Sequence, residues 1–165
     1  KGIYHLLNIW KQIVEQKPLA KLAILGNGDP AIEKEILDFI REHSLQENIN
    51  LVGFLDGVPK YVLFSKTKVY LNTNLYDAGG MATMEAMSCG LPVVSFDFPN
   101  SRSMIGDGVL WARYLDDADF SSQVLEFLND PQKIIVFGKK SREYMKRYDW
   151  SVTSDRVLQY FESLF

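Results

Sequence analysis

The chain has 165 residues, 47% of them hydrophobic, 13% aromatic and 24% charged. That is enough to bury one sizeable core, and it excludes a disordered, collagen-like or disulfide-scaffold protein. Its 18 basic and 21 acidic residues give a net charge of −3, a poor balance for gripping bulk nucleic acid through its phosphates. Cys89 is the single cysteine, so an internal disulfide and a cysteine-based zinc site are excluded. No apolar run reaches the ~18 residues of a membrane span. The opening Lys1-Gly2-Ile3-Tyr4-His5 is not a signal peptide. The expectation is a cytoplasmic protein with at most peripheral membrane contact.

Ile3, Leu6, Leu7, Trp10, Ile13 and Val14 repeat at helical spacing, and Pro18 closes that helix. Ala20 to Leu25 reads as a strand ending in the turn Gly26-Asn27-Gly28-Asp29, with Pro30 at a first helical position. Ile32, Ile36, Phe39 and Ile40 mark the second helix. Ile49–Leu55 reads as a strand, Val58–Ser65 as a short helix and Val69–Leu71 as a third strand. Met81–Cys89 is a helix stopped by Gly90. Strands follow at Pro92–Phe98 and Val109–Leu115, then helices at about Phe120–Leu128, Lys133–Tyr148 and Ser151–Leu164. Strands alternating with helices predict a Rossmann-like, three-layer α/β/α domain on a parallel sheet, spanning residues 1–165. Ligands bind such sheets beyond the carboxyl ends of the strands. The loops after Leu25, Leu55, Leu71 and Phe96 are therefore the ones to watch.

One segment stands apart. From Gly79 through Phe96 the only charged residue is Glu85, in a short helix built mostly of Met, Ala and Cys. A helix apolar nearly all round is expected to be buried, and a buried carboxylate needs partners. Gly79 and Gly80 lead into this helix, presenting backbone N–H groups at the positive end of its dipole. Glu85 lies about one turn in, with its side chain tilted back toward that end. One small ligand can then place phosphates on the glycine amides and hydroxyls on Glu85. Equally, Glu85 can pair with a neighbouring backbone donor or a basic side chain, and these physical grounds leave both readings open.

Glu85-Ala86-Met87-Ser88-Cys89-Gly90-Leu91-Pro92-Val93-Val94 resembles the signature of retaining GT-B glycosyltransferases, family four and group 1 type in particular. Those enzymes carry two carboxylates separated by seven residues, as Asp77 and Glu85 are here. Lys1-Gly2, Gly26-Asn27-Gly28-Asp29-Pro30, Gly53-Phe54-Leu55-Asp56 and Arg147-Tyr148-Asp149-Trp150-Ser151 follow the C-terminal domain of the family in order. The resemblance covers essentially the whole chain. It implies the donor-binding domain of a hexosyltransferase-type enzyme, which moves a sugar from a UDP-, GDP- or ADP-sugar to an acceptor hydroxyl with retention. The implied partners are that donor, the N-terminal GT-B domain and a glycan or lipid-linked acceptor. No metal and no further cofactor are implied.

Residue by residue, the resemblance makes Asp77 and Glu85 the catalytic carboxylates. Glu85 would accept from ribose hydroxyls, and Asp77 would address the donor sugar. Amides around Gly79, Gly80 and Met81 would meet the diphosphate or the sugar, Lys1 would neutralise the diphosphate, and Leu55 would meet the base through its backbone. Residues 150–165 would form a helix crossing to the other domain, its apolar face (Val157, Leu158, Phe161, Leu164, Phe165) exposed without that partner. The family usually has Glu-Gly-Phe-Gly where this chain has Asp77-Ala78-Gly79-Gly80, and an arginine a few residues before its Lys-Gly pair. The family's first strand also precedes that pair. Five parallel strands are therefore expected here, with Ala20–Leu25 and Val69–Leu71 flanking a missing central position. These residues alone are expected to bind donor without transferring sugar. A degenerate nucleotide-sugar-binding module with a regulatory or assembly role is the alternative, and a GT-B epimerase is disfavoured by the carboxylate spacing.

Other features have plainer readings. Asp29 and Pro30 spoil the turn after Leu25 as a dinucleotide fingerprint. Asp117 and Asp119 are expected to cap a helix rather than hold a metal. Cys89 is expected to be a buried small hydrophobe, His5 and His43 surface or interface residues, and the basic run Lys139–Arg147 a solvated face.

Overall fold

The computed structural model describes residues 2–77 and 79–165. Helix α1 (Ile3–Gln16) buries Leu7, Ile9, Trp10 and Ile13. Its N-cap, Gly2, has φ 67°, and a Cβ there would overlap the Thr73 carbonyl oxygen, so only glycine lets this helix start so close to the chain beyond Asn72. Strand β1 (Leu22–Leu25) leads to α2 (Pro30–Glu42), capped by Asp29, whose carboxylate accepts from the Ala31 N–H at 2.8 Å. Then follow β2 (Ile49–Gly53), α3 (Val58–Lys66), β3 (Tyr70–Asn72), α4 (Met81–Ser88) and β4 (Val93–Phe96). The chain continues through α5 (Ser101–Met104), β5 (Val109–Ala112), α6 (Asp117–Asn129), α7 (Pro131–Met145), a 3-10 turn over Lys146–Tyr148 and α8 (Trp150–Glu162).

Every strand pair is parallel. Among the described residues β1 and β2 form one sheet, and β3, β4 and β5 a second in that order. The expected five strands are present among the described residues, and β1 and β3 are not hydrogen-bonded to each other. One core nevertheless runs beneath both sheets. Leu22 and Ile49 from the first, Val94, Phe96 and Ala112 from the second, the α1 face, and Phe120, Val124 and Phe127 of α6 pack together. The Val, Leu, Ile and Phe side chains among them each contribute about 1.5–3 kcal/mol on burial, and the α1 face shares this core with strands of both sheets. Strand β4 is buried along its whole length, as a strand covered on both faces must be.

Several expectations need correction. Strand β5 stops at Ala112, not Leu115, which has φ 61°, and Asp116 rather than Asp117 or Asp119 caps α6. Strand β2 stops at Gly53, not Leu55: Gly53 has φ 77°, outside the extended region, and the β1–β2 register slips there, pairing Leu25 with Gly53. Leu55 therefore belongs to the loop beyond the strand. Helix α4 is not buried all round. Thr83, Ala86 and Met87 are buried, but Met81 is 69% exposed, because only the face spaced at three and four residues meets the sheet. Cys89 is half-buried. Helix α5 was not expected, since four residues carry no periodicity. As expected, the apolar side chains of α8 and of the residues just beyond it are open: Val157, Leu158 and Phe161 in the helix and Leu164 and Phe165 after it are all exposed.

Candidate functional site

The loops after β1 and β2 are tied to each other by short polar links. The Gly26 N–H donates to the Gly53 carbonyl at 2.9 Å, and the Asn27 side-chain oxygen accepts the Phe54 N–H at 3.1 Å. These fix the Phe54-Leu55-Asp56 turn against the turn after β1, leaving Phe54 71% exposed at the rim.

Beyond β3, asparagines carry order out of the sheet. Buried Asn72 donates to Ser95 Oγ at 3.1 Å and accepts the Asn74 N–H at 3.4 Å. Asn74 Nδ2 in turn donates to Asp77 Oδ2 at 2.7 Å. The other Asp77 oxygen accepts the Gly79 N–H at 3.1 Å and the Gly80 N–H at 2.9 Å. The Tyr114 hydroxyl, edge-on to Phe96, donates to the Leu75 carbonyl at 3.1 Å and braces the same loop from β5. Two glycine amides are thus already turned toward an anionic oxygen, and that oxygen belongs to the protein. Gly80 adopts φ 61° as the N-cap of α4, with no side-chain cap of its own.

Glu85 does have a basic partner. Lys60 Nζ lies 3.1 and 3.0 Å from its two carboxylate oxygens and 3.2 Å from Asp56 Oδ1. The Lys60 side chain is 14% exposed and that of Glu85 35%. The Glu85 hydrogen bond first, and Asp56 after it, raise the Lys60 pKa above the ordinary lysine value. Asp56 is held below the usual carboxylate range, chiefly by the Gly57 backbone N–H and then by Lys60. Burial raises the Cys89 thiol despite Arg142 nearby, so it is no activated nucleophile.

Of the residues singled out from sequence, Asp77, Gly79, Gly80, Met81 and Glu85 lie on one loop and the helix it enters. Leu55 is linked to them through Asp56 and Lys60. Lys1 lies outside the described residues. Lys60, Asn74, Asn27 and Tyr114 were missed. The spacing of Asp56 and Lys60 as an i,i+4 pair entering α3 was a readable signal for the first, and Asn74 three residues before Asp77 for the second. Among the described residues no three His, Cys, Asp or Glu gather where they could hold a metal ion. Asp116 caps α6 by accepting the Asp119 N–H, Asp117 pairs with His5 at 2.7 Å, and Asp119 accepts the Arg113 N–H. No helix among them is long and apolar enough to cross a membrane.

A parallel α/β domain with a glycine-led loop and one carboxylate in the following helix is the Rossmann-like, C-terminal half of a GT-B fold. The chain belongs to the family described as glycosyl transferases group 1, whose model matches residues 1–149. It is 28% identical to a phosphatidyl-myo-inositol mannosyltransferase of Mycolicibacterium smegmatis, over 99% of this chain and 42% of that protein. It is 34% identical to a poly(glycerol-phosphate) alpha-glucosyltransferase of Bacillus subtilis, over 66% of this chain and 16% of that one. The chain thus spans less than half the length of these relatives. In fold it matches sucrose-phosphate synthase of Thermosynechococcus elongatus with a TM-score of 0.82 at 23% identity, over 96% of this chain and 42% of that one. It matches Anabaena HepE, solved with UDP and glucose, with a TM-score of 0.82 at 17% identity, over 99% and 45%.

Proposed function

We propose that residues 1–165 are the donor half of a glycosyltransferase that moves a hexosyl group from a nucleotide diphosphate sugar to an acceptor hydroxyl with retention. The observation that carries this reading is Glu85: a partly exposed carboxylate, one turn into an otherwise apolar helix, behind two glycine amides that already hold an anionic oxygen. In this reading Glu85 accepts from the ribose hydroxyls, and the Leu55 backbone, set by the Asn27–Phe54 link, meets the base. Lys1 and the amides of Gly79, Gly80 and Met81 take the diphosphate or the sugar. Asp77 sets those amides in place and yields them, or shares them, when the donor's own anionic oxygens arrive. Negative charge on the leaving diphosphate is met by Lys1 and the helix end, without a metal. The names of two relatives, phosphatidyl-myo-inositol and poly(glycerol-phosphate) transferases, favour a lipid-linked or glycan acceptor, which this reading assigns to the other domain. The open apolar face of α8 belongs in this reading against that domain.

Transfer requires the acceptor hydroxyl to be held at the anomeric carbon, a positioning effect of about 7–11 kcal/mol that a single wall cannot supply. These 165 residues alone are therefore expected to bind and not to transfer. The test is calorimetry of the full-length protein with UDP-, GDP- and ADP-sugars, beside Glu85→Ala. Loss of about 1.5–3 kcal/mol of affinity is expected for a hydrogen-bonded charged group. Unchanged affinity with the fold intact sinks the ribose assignment. A second reading, a nucleotide-sugar-binding module without catalysis, is favoured by Asp77, whose shorter side chain is engaged within its own loop. Nucleotide binding with no donor hydrolysis or transfer by the full-length protein would select it.

A further inference from the structure

Helix α7 lies across the amino edge of the β3-β4-β5 sheet. A Cβ at its Gly138 would overlap the Gly90 carbonyl oxygen, and one at Gly108 would overlap its Ser141. Gly90 precedes β4 and Gly108 precedes β5. The loop bearing Asp77 follows β3 of the same parallel sheet, at the opposite, carboxyl edge. The two sides of α7 differ. Gly138 and Ser141 are buried, whereas Gln132, Ile135, Val136, Lys139, Lys140 and Glu143 are exposed. Their spacing of three and four residues puts them on one outward stripe, about 17 Å long at the helical rise. Ile135 and Val136, each about half exposed, stand in mid-helix on that stripe.

This part of the chain is basic. Residues 131–150 hold six basic and two acidic side chains, a net +4, in a chain whose total is −3, so the other 145 residues carry −7. Glu143 is taken by Lys146 at 2.6 Å. Among the described residues Lys139, Lys140, Arg142 and Arg147 have no carboxylate within 4 Å. Lys140 stands 4.9 Å from the centre of the Phe137 ring and Arg147 3.9 Å from that of Tyr144. These cations are held at the surface by aromatic rings rather than by counter-charges. Just beyond the helix Tyr148 and Trp150 are exposed.

A single small anion fits this face poorly. The cleft of about 440 Å³ at its end is lined by Lys140, Lys146 and Arg147 but also by Asp107 and Glu143, so its charge is close to balanced. A polyphosphate chain would leave Ile135 and Val136 without a role. Unpaired cations beside exposed aliphatic side chains on one helix face match a surface that offers anionic headgroups and an acyl boundary together.

We propose that the outward face of α7 is a docking surface for an anionic lipid bilayer, with Lys139, Lys140 and Arg147 at the headgroup phosphates and Ile135 and Val136 at the acyl boundary. Docked this way, the domain keeps the Asp77 loop on the side away from the bilayer, open to a water-soluble ligand. The proposal is independent of the donor-binding reading.

The experiment is flotation of the full-length protein with vesicles of phosphatidylcholine alone and of phosphatidylcholine with phosphatidylglycerol, at low and at physiological salt. The native protein is expected to bind the anionic vesicles about tenfold more tightly than the neutral ones, and the preference should shrink as salt rises. Lys139→Gln with Lys140→Gln should lose about tenfold in binding to anionic vesicles, while Lys139→Arg with Lys140→Arg should keep it. Ile135→Ser with Val136→Ser should weaken binding about threefold or more at both salt concentrations. Lys11→Gln with Lys34→Gln makes the same change in net charge on α1 and α2 and should bind as the native protein does. The urea midpoint of each variant checks that the fold is intact. Equal loss in this control pair would make the effect one of net charge. Unchanged binding of the Lys139→Gln, Lys140→Gln variant would place the membrane contact elsewhere in the protein. Either result, or no binding to vesicles of either kind, overturns the proposal. Binding of a single-stranded oligonucleotide that the glutamine pair abolishes and the serine pair leaves untouched would assign the face to nucleic acid and overturn it as well.

Discussion

Asp77 and Gly80 are joined by a hydrogen bond of 2.9 Å, from the Gly80 N–H to Asp77 Oδ1, and the same oxygen takes the Gly79 N–H at 3.1 Å. The side chain thus does for this loop what an N-cap does for a helix, since Gly80, the cap residue of α4, has no side chain to offer. Asp77→Ala removes the acceptor and should cost about 1–2 kcal/mol in denaturant unfolding. Asp77→Asn keeps a side-chain oxygen for the two glycine amides but sets an NH2 against the Asn74 Nδ2 donor, so it should cost less than alanine but more than a simple exchange of caps. Equal stability of the alanine variant and the native protein would show that the loop is held by other means.

How much of this was legible in the sequence follows from the range over which each feature is decided. Pro30, Gly90 and the apolar runs mark element ends locally, and the helices and strands appear where they indicate, within a few residues. Glu85 could be singled out because its isolation among apolar residues is visible along the chain. Its partner could not. Lys60 lies twenty-five positions earlier on another helix, and only packing of α3 beside α4 makes it different from the other basic residues. The end of β2 was misplaced because Leu55 continues the apolar run, whereas the positive φ of Gly53 and the slipped register with Leu25 are set between strands. The exposure of Met81 was misjudged for a related reason: composition shows an apolar helix but not which turn lacks a neighbour.

Asn48 holds the approach to the β1–β2 sheet. Its Nδ2 donates to the carbonyls of Pro18 and Ala20 at 2.8 and 2.9 Å, and its own backbone carbonyl accepts the Trp10 indole N–H at 3.2 Å and the Leu22 N–H at 2.7 Å. The residue is 6% exposed. Asn48→Ala removes both side-chain donations at a buried residue and should destabilise by about 1–3 kcal/mol. The urea midpoint should fall with an unchanged slope. A variant as stable as the native protein would mean that water replaces the amide without loss.

Gly138 sits inside α7, where alanine would ordinarily gain up to about 1 kcal/mol in helix propensity. Here the sign should reverse. A Cβ at this position would overlap the Gly90 carbonyl oxygen just beyond α4, and Gly90 is itself fixed at φ 81°. Both contacting groups are close to backbone, so neither can rotate away. Gly138→Ala should force α7 off α4 and cost about 1–3 kcal/mol, the range for overpacking. A rise in melting temperature would show that propensity wins and that the two backbones are less closely docked.

Helix α8 should respond to acid through its cap. Asp149 precedes Trp150, and its Oδ1 accepts the Ser151 N–H at 2.9 Å and the Ser151 hydroxyl at 2.7 Å. The Ser151 side-chain hydrogen bond, then its backbone one, lower the Asp149 pKa below the ordinary carboxylate value. A carboxyl whose pKa is depressed by folding stabilises the helix fully above its unfolded value, about 3.9, and loses that contribution as the pH falls through the lower folded value. The first turn of α8 should therefore stay protected at neutral pH and begin to fray only below about pH 4. No side chain of α8 is buried, so little else holds this turn. Asp149→Asn, which caps without ionising, should remove the acid step while keeping the helix. Asp149→Ala should expose the turn at every pH. Hydrogen exchange of the Ser151–Thr153 amides between pH 3 and pH 7, corrected for intrinsic rates, would read this directly. Acid-dependent fraying that survives unchanged in the asparagine variant would assign the step to another group.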